Sequence, residues 1–421
     1  MLSALRSRDF RLLWLGQSAS VIGDGLVIVA IGLFVNRLTG DPSDVGVVLA
    51  AYSLPLVLLV LVGGVIADRL PRQAVMMVTD AIRGLAHGVL ALLIATGTVR
   101  VWHMVVIGLL FGTSQAFFQP AYTGLIPQTV PEDDIQAAQA LGGVSRELAS
   151  FVSPALATVL VLGVGGAAAF GLDAVTFAIS AATLAWVRTR PRGVAGVRST
   201  MLAELREGWA TVRERPWVWG TISAFSASLL LALAPFFVLG PAVSRHVYGT
   251  DAVFGITNAA WGTGTIVGVV IGARWRPRRP LLAAMLAAVA WPGQIALFAA
   301  GPSLYLLYPV TAAAGVGLGL FDVWWETALA QRIPGQLLSR VSAWDWMGSL
   351  ALLPAGYLLA GPMASALGDV QVLVGGGLAG LAAIALGLLP RSTRTLTRLE
   401  NAGEGSEPAH PPGDRALAGG G

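Results

Sequence analysis

The chain has 421 residues, of which 55% are hydrophobic and 12% charged, about half the roughly 25% charged share of a soluble domain. Such a chain cannot cover itself with polar surface, and a mean hydropathy of +0.72 excludes a soluble globular fold. The net charge of +4 rests on 27 basic residues, all Arg. They sit in short segments between apolar runs, not in one patch interleaved with aromatics, so a nucleic-acid footprint is excluded.

There is no Cys, which removes disulfides, thiolate metal sites and Cys nucleophiles. The four His (His87, His103, His246, His410) are scattered without metal-ligand spacing. No metal and no cofactor is expected. No nucleophile, base and orienting group recur at usable spacing, so an enzyme is not expected. No Gly-x-x-x-x-Gly-Lys loop occurs, so ATP does not drive the chain from within.

The basic stretch Met1 to Arg11 leads into an apolar run that contains Asp24 and has no cleavage-site pattern, which reads as a retained first helix rather than a signal peptide. Apolar runs long enough to cross about 30 Å of hydrocarbon then recur. They predict helices at 12 to 36, 44 to 66, 74 to 96, 101 to 121, 136 to 162 and 166 to 188, and a second set at 217 to 243, 252 to 273, 280 to 300, 303 to 326, 341 to 363 and 368 to 389. The expected fold is an all-α membrane protein with twelve transmembrane helices in two six-helix halves, 1 to 188 and 216 to 390. Between them, 189 to 215 is a polar connector in which 200 to 213 reads as an amphipathic helix with Leu202, Leu205 and Trp209 toward lipid. The tail, 391 to 421, is rich in Gly, Pro and Arg without periodicity and reads as disordered.

Arg residues alternate strongly between the two sides: 22 on the side of the N-terminus against three, Arg37, Arg100 and Arg245, on the other. The positive-inside rule then puts both termini in the cytoplasm of a multi-pass plasma-membrane protein. Laying 108 to 127 over 315 to 334 aligns Gly108 with Gly315, Gly112 with Gly319, Ala121 with Ala328 and Ile126-Pro127 with Ile333-Pro334. That offset equals half the membrane domain, as duplicated halves require.

Charges inside the helices need a partner or a purpose. Asp24, flanked by Gly23 and Gly25, falls near mid-membrane with no basic neighbour within one helical turn, which suits a proton-carrying or substrate-contacting group. A hydrogen-bonded structural Asp is the alternative. Asp322 and Glu326 are four apart on one face of helix 10, where like charges repel; their counterparts by the repeat are Gln115 and Gln119. Glu326 has a second reading, in which it pairs with Arg332 or Arg340. Asp80 and Arg83, three apart, read as a mutually neutralising structural pair, Arg146 as a further structural charge, and Asp173 receives no role. Trp324, Trp325, Trp344 and Trp346 read as core packing, or as a stacking surface for a flat ligand.

Between helices 2 and 3 lies Gly64-Val-Ile-Ala-Asp68-Arg69-Leu-Pro-Arg72-Gln73. This resembles the signature loop of the major facilitator superfamily, with Pro71 and Gln73 in place of a Gly and a basic residue. Gly23-Asp24, Asp80-x-x-Arg83, Pro120-Ala-x-x-x-x-Ile-Pro127 and Arg340-Val341 extend the likeness over roughly 1 to 390, toward the branch of macrolide and siderophore exporters. Two features depart from drug antiporters: helix 4 lacks an Arg, and helix 5 carries Ser153-Pro154-Ala-Leu-Ala157 where glycines are usual.

The resemblance implies secondary transport by alternating access, a lipophilic or amphipathic small-molecule substrate, protons as the coupling ion, membrane lipids as surroundings and a monomer. It also implies a central cavity between helices 1, 4, 7 and 10, so that Asp24, Gln115, Gln119, Asp322 and Glu326 would face one space. Gly64, Asp68, Arg69 and Arg72 would form the gating loop, in which Asp68 caps a helix of the other half and the two Arg anchor to lipid phosphates. An importer or uniporter on the same scaffold, and a non-transporting membrane sensor, remain the alternatives.

Overall fold

The computed structural model describes residues 2–189 and 201–397. Among them are twelve helices long and apolar enough to cross a membrane. They are α1 (Arg8–Thr39), α2 (Pro42–Arg69), α3 (Arg72–Ala95), α4 (Val101–Thr129), α5 (Ile135–Val159), α6 (Gly166–Ala185), α7 (Pro216–Tyr248), α8 (Ala252–Arg274), α9 (Pro280–Ala300), α10 (Leu304–Arg332), α11 (Arg340–Leu367) and α12 (Asp369–Leu386). Each apolar run of the sequence became one crossing.

Several helices outrun their apolar cores. α4 runs on through Pro120 and Pro127 to Thr129, and α10 continues to Arg332, because a helix does not stop where hydrocarbon ends. π-turns at Leu160–Val164 and Leu229–Leu233 widen the end of α5 and the middle of α7. A linker helix covers Met201–Arg213. Its Trp209 packs against Trp344 with tilted rings 4.9 Å apart, so this residue packs on the bundle as well as facing outward, while the side chains of Leu202 and Leu205 lie outside the described residues. The tail does not begin disordered at Arg391: Arg391–Thr395 forms a turn of helix with Thr393 buried. Residues 398–421 lie outside the described residues.

The internal repeat is visible in the packing. On α4, a Cβ at Gly112 would meet the carbonyl of Tyr52 on α2 at 2.3 Å; on α10, a Cβ at Gly319 would meet the carbonyl of Thr265 on α8 at 2.1 Å. Equivalent glycines thus let equivalent helix pairs touch backbone to backbone, as small residues do in lipid.

Close approaches between the halves gather at the end of the bundle away from the chain termini, the far end. Gly46 of α2 meets the Tyr357 carbonyl of α11, Gly361 of α11 meets Ser43 of α2, and Gly255 of α8 meets Thr158 of α5. Toward the near end, which carries the termini, each half lines its own pocket. The halves therefore meet closely at the far end, while toward the near end each keeps a pocket of its own.

Candidate transport site

Asp24 sits midway along α1, where two glycines admit neighbours from other helices. A Cβ at Gly25 would lie 2.6 Å from Ser153 Oγ, and that hydroxyl donates to the Ile22 carbonyl at 2.8 Å. The departure at Ser153 thus has a local role, tying α5 to α1. A Cβ at Gly23 would lie 2.0 Å from Asp173 Oδ1 of α6.

Asp24 does have a basic partner, contrary to the reading by helical turn: Arg83 Nη1 of α3 lies 3.6 Å from Asp24 Oδ2. The neighbour arrives through tertiary packing, which a turn-by-turn search along α1 cannot see. Arg83 is fully buried and does more than neutralise Asp80. It donates to Asp80 Oδ1 and to Gln115 Oε1, both at 2.5 Å, and its guanidinium lies 4.3 Å from the ring centroids of Phe118 and Phe177. Ser180 Oγ donates to Asp80 Oδ2 at 2.6 Å, and Gln17 Nε2 donates to that hydroxyl at 2.7 Å. One network therefore joins α1, α3, α4 and α6. Asp24 holds its edge, with Oδ1 buried and unpaired.

One helical turn beyond Arg83 is a group that sequence reasoning missed. His87 Nδ1 contacts Asp173 Oδ2, and His87 Nε2 lies 2.9 Å from the Tyr52 hydroxyl; His87 and Asp173 have no exposed surface. The imidazole stacks on Phe111 at 4.8 Å. Asp173, without a role in the sequence, is the acid of this pair.

The five polar residues expected around one space are divided. Asp24 and Gln119 line a small pocket of the first half, and Arg146 lines it with them. Gln115 is taken up by Arg83. Asp322 and Glu326 line a cavity of about 250 Å³ in the second half, joined there by Asp345, which sequence reasoning also missed. Its walls are aromatic, including Phe225, Trp261, Phe321 and Trp325. Trp325 Nε1 donates to Asp345 Oδ2 at 2.8 Å, while Trp346, on the same wall, is exposed. Glu326 pairs with neither expected Arg: Arg332 donates to the Thr397 carbonyl and Arg340 pairs with Glu207 of the linker helix.

In the predicted gating loop, Arg72 Nη1 donates to the Gly124 carbonyl at 2.6 Å, which ties the loop to the end of α4. Arg69 ends α2 and is exposed; the side-chain positions of Gly64 and Asp68 lie outside the described residues. At the far end, two of the three Arg on that side converge on Asp251, in the turn between α7 and α8. Arg37 Nε, at the end of α1, donates to Oδ2 at 2.8 Å; Arg245 of α7 donates to Oδ1 and Oδ2, both at 3.0 Å. Burial pushes the Asp251 pKa up, but the hydrogen bonds from Arg245 and Arg37 outweigh it and hold the carboxyl below its ordinary value.

The sequence matches the family described as "Transmembrane secretion effector" over residues 1–411. Macrolide efflux protein A of Streptococcus pyogenes is 24% identical over 366 residues, 85% of this chain and 90% of that protein. The multidrug efflux pump Tap of Mycolicibacterium fortuitum is 28% identical over 366 residues, 82% of this chain and 87% of that protein. A crystal structure of a mutant of the nucleoside transporter NupG superposes with a TM-score of 0.71 at 13% identity, covering 90% of this chain and 98% of that one. A bacterial homolog of the human lysosomal transporter Spinster, inward-facing and unoccupied, gives 0.66 at 14% identity over 91% of this chain and 95% of its own.

Proposed function

The chain belongs to the transmembrane secretion effector family of the major facilitator superfamily, and from that premise we propose that it exports an amphipathic, basic small molecule in exchange for protons. It is a secondary transporter, and its relatives are transporters, not enzymes. The Arg distribution supports cytoplasmic termini in a plasma membrane, so the near end faces the cytoplasm. The protein acts as a monomer surrounded by lipid.

The observation that carries the reading is the separation of two acidic sites on opposite halves. In the second half, three carboxylates stand among indole and phenyl rings. Such a wall suits a cation with an apolar body, through charge pairing and cation–π contact. In the first half, Asp24 lies beside the permanently charged Arg83, yet 3.6 Å away and with one oxygen unpaired. A proton can leave or join that carboxylate without dismantling the tighter Asp80–Arg83 pair. Loading a cation on one wall and releasing a proton from the other, as the halves rock, exchanges the two across the membrane. The gating loop of Gly64, Asp68, Arg69 and Arg72 contributes by favouring one rocked state.

Vesicles with an imposed pH difference test the reading on a panel of lipophilic amines and macrolides. The wild-type chain accumulates its substrate on the acidic side, against the substrate's own gradient, as protons leave that side. Asp24→Asn, which keeps the shape and fixes a neutral form, retains downhill exchange and loses accumulation. Substrate movement in the same direction as protons would instead mean import, and wild-type accumulation by Asp24→Asn would free Asp24 of the coupling role.

A further inference from the structure

The buried core of the first half holds more acid than base. The buried Asp80 and Asp173, with Asp24 a quarter exposed at their edge, stand against one permanent cation, Arg83, and one imidazole, His87. Asp80 is the committed partner of Arg83, held at 2.5 Å and further bonded by Ser180. That leaves two carboxylates without a permanent countercharge of their own in a region where an unpaired charge is costly. Neutrality needs two protons, one at Asp24 and one at the His87–Asp173 contact.

We infer that His87 and Asp173 form a second protonation site, wired to Asp24, so that the first half carries two exchangeable protons. The inference builds on the coupling role proposed for Asp24 and is tested apart from it. His87 is placed for the task by every helix around it. Asp173 of α6 takes Nδ1, the Tyr52 hydroxyl of α2 meets Nε2, and Phe111 of α4 with Phe170 and Phe177 of α6 closes the ring off from lipid. On its own helix lie Arg83, one turn away, and Asp80, and Asp173 acts electrostatically on both Asp80 and, on α1, Asp24.

With the imidazole neutral, Nδ1–H donates to the Asp173 carboxylate and Nε2 accepts from Tyr52. A proton arriving at Nε2 lets the Nδ1 proton pass to Asp173 Oδ2, leaving a neutral imidazole beside a neutral acid. The negative charge that Asp173 exerts on Asp24 and Asp80 then disappears, while the Asp80–Arg83 hydrogen bond stays in place. Gly23 makes this linkage possible, because only a residue without Cβ lets the Asp173 carboxyl rest on α1 next to Asp24. Interacting sites of this kind titrate as a pair rather than singly.

With four His in the chain, one can be isolated. His103→Gln, His246→Gln and His410→Gln leave His87 as the single histidine in an otherwise intact chain. Imidazole nitrogen NMR in lipid nanodiscs then reports its charge and tautomer against pH. The expected result, in a scan from about pH 5 to about pH 9, is a change of protonation or tautomer whose midpoint moves when Asp24→Asn is added. An imidazole that keeps one state across that range, or a midpoint indifferent to Asp24→Asn, overturns the inference. Asp173→Asn supplies a second arm, since it should move the pH profile of transport as well as the His87 midpoint. Should Asp24→Asn still transport uphill, the coupling role of Asp24 falls, while the His87 titration still decides whether the second site exists.

Discussion

Asp173 of α6 rests on Gly23 of α1, so closely that a Cβ at the glycine would lie 2.0 Å from Asp173 Oδ1 and 2.4 Å from Thr176 Oγ1. Gly23→Ala must therefore push α6 away or turn the Asp173 carboxyl off His87. Overpacking of this kind costs about 1–3 kcal/mol, so a lowered melting temperature is expected together with a changed pH profile of transport. Gly375→Ala, on α12 with nothing within 4 Å of its Cβ, is the control that should change neither. Equal behaviour of the two variants in a thermal-shift assay would contradict the close packing of α6 on α1.

The far-end cluster makes a second prediction. Asp251 is shared by Arg37 of the first half and Arg245 of the second, so it holds the far end closed. Asp251→Asn should shift the balance toward far-end opening by about 1 kcal/mol, roughly fivefold in population, since both Arg are partly solvent-exposed. Because the carboxyl is held below its ordinary value, its contribution is fully present above the usual carboxylate range and fades as pH falls through the lowered value. Distances between spin labels on α2 and α11 across pH report it. A far end that stays equally closed in the variant, or that opens as pH rises, would sink the latch.

The second-half cavity predicts non-additive charge effects. Asp322, Glu326 and Asp345 line one space, so neutralising any of them relieves the repulsion felt by the other two. The double variant Asp322→Asn with Glu326→Gln should lose more affinity for a lipophilic cation than the sum of the single losses, because either single variant leaves its neighbour freed from repulsion and better able to hold the cation. Asp345→Asn should behave differently, because Trp325 holds that carboxyl from the side and would keep its partner through the amide oxygen. Strictly additive losses in a titration calorimetry cycle would mean that the carboxylates serve separate ligands.

The twelve crossings were legible because bilayer thickness writes itself into the length of each apolar run. What the runs could not reveal is where helices go after leaving hydrocarbon, hence the extra turns of α4 and α10. The Gly108 and Gly315 match exposed the duplicated packing, since a glycine that admits a backbone must recur wherever the helix pair recurs. Asp24 was visible as an intramembrane charge, yet Arg83 was assigned to Asp80 alone. Spacing along one helix cannot report a contact made by another. The His87–Asp173 pair is separated by 86 residues and carried two signals that could have found it. Each is an ionisable residue inside an apolar helix, and Gly23 beside Asp24 marked a spot where something polar had to come close.

A last prediction separates two uses of glycine that look alike in sequence. Gly46 of α2 and Gly112 of α4 both abut a carbonyl oxygen, Tyr357 at 2.2 Å for the first and Tyr52 at 2.3 Å for the second. The Gly112 contact joins α2 to α4 within one half, and a half moves as a rigid unit during rocking. Gly112→Ala therefore clashes in every state of the cycle, and its cost should appear as lost stability with little change in the balance of states. The Gly46 contact joins α2 to α11 across the halves and exists only while the far end is closed. Gly46→Ala clashes in that state alone, so the chain can escape the clash by opening. The expected result is a shift toward far-end opening, near-normal thermal stability, and weaker binding of substrate from the near end. Spin-label distances between α2 and α11, paired with thermal denaturation of both variants, decide it. If Gly46→Ala melts early with unchanged distances, the far-end contact is ordinary core packing and not a surface that parts during transport.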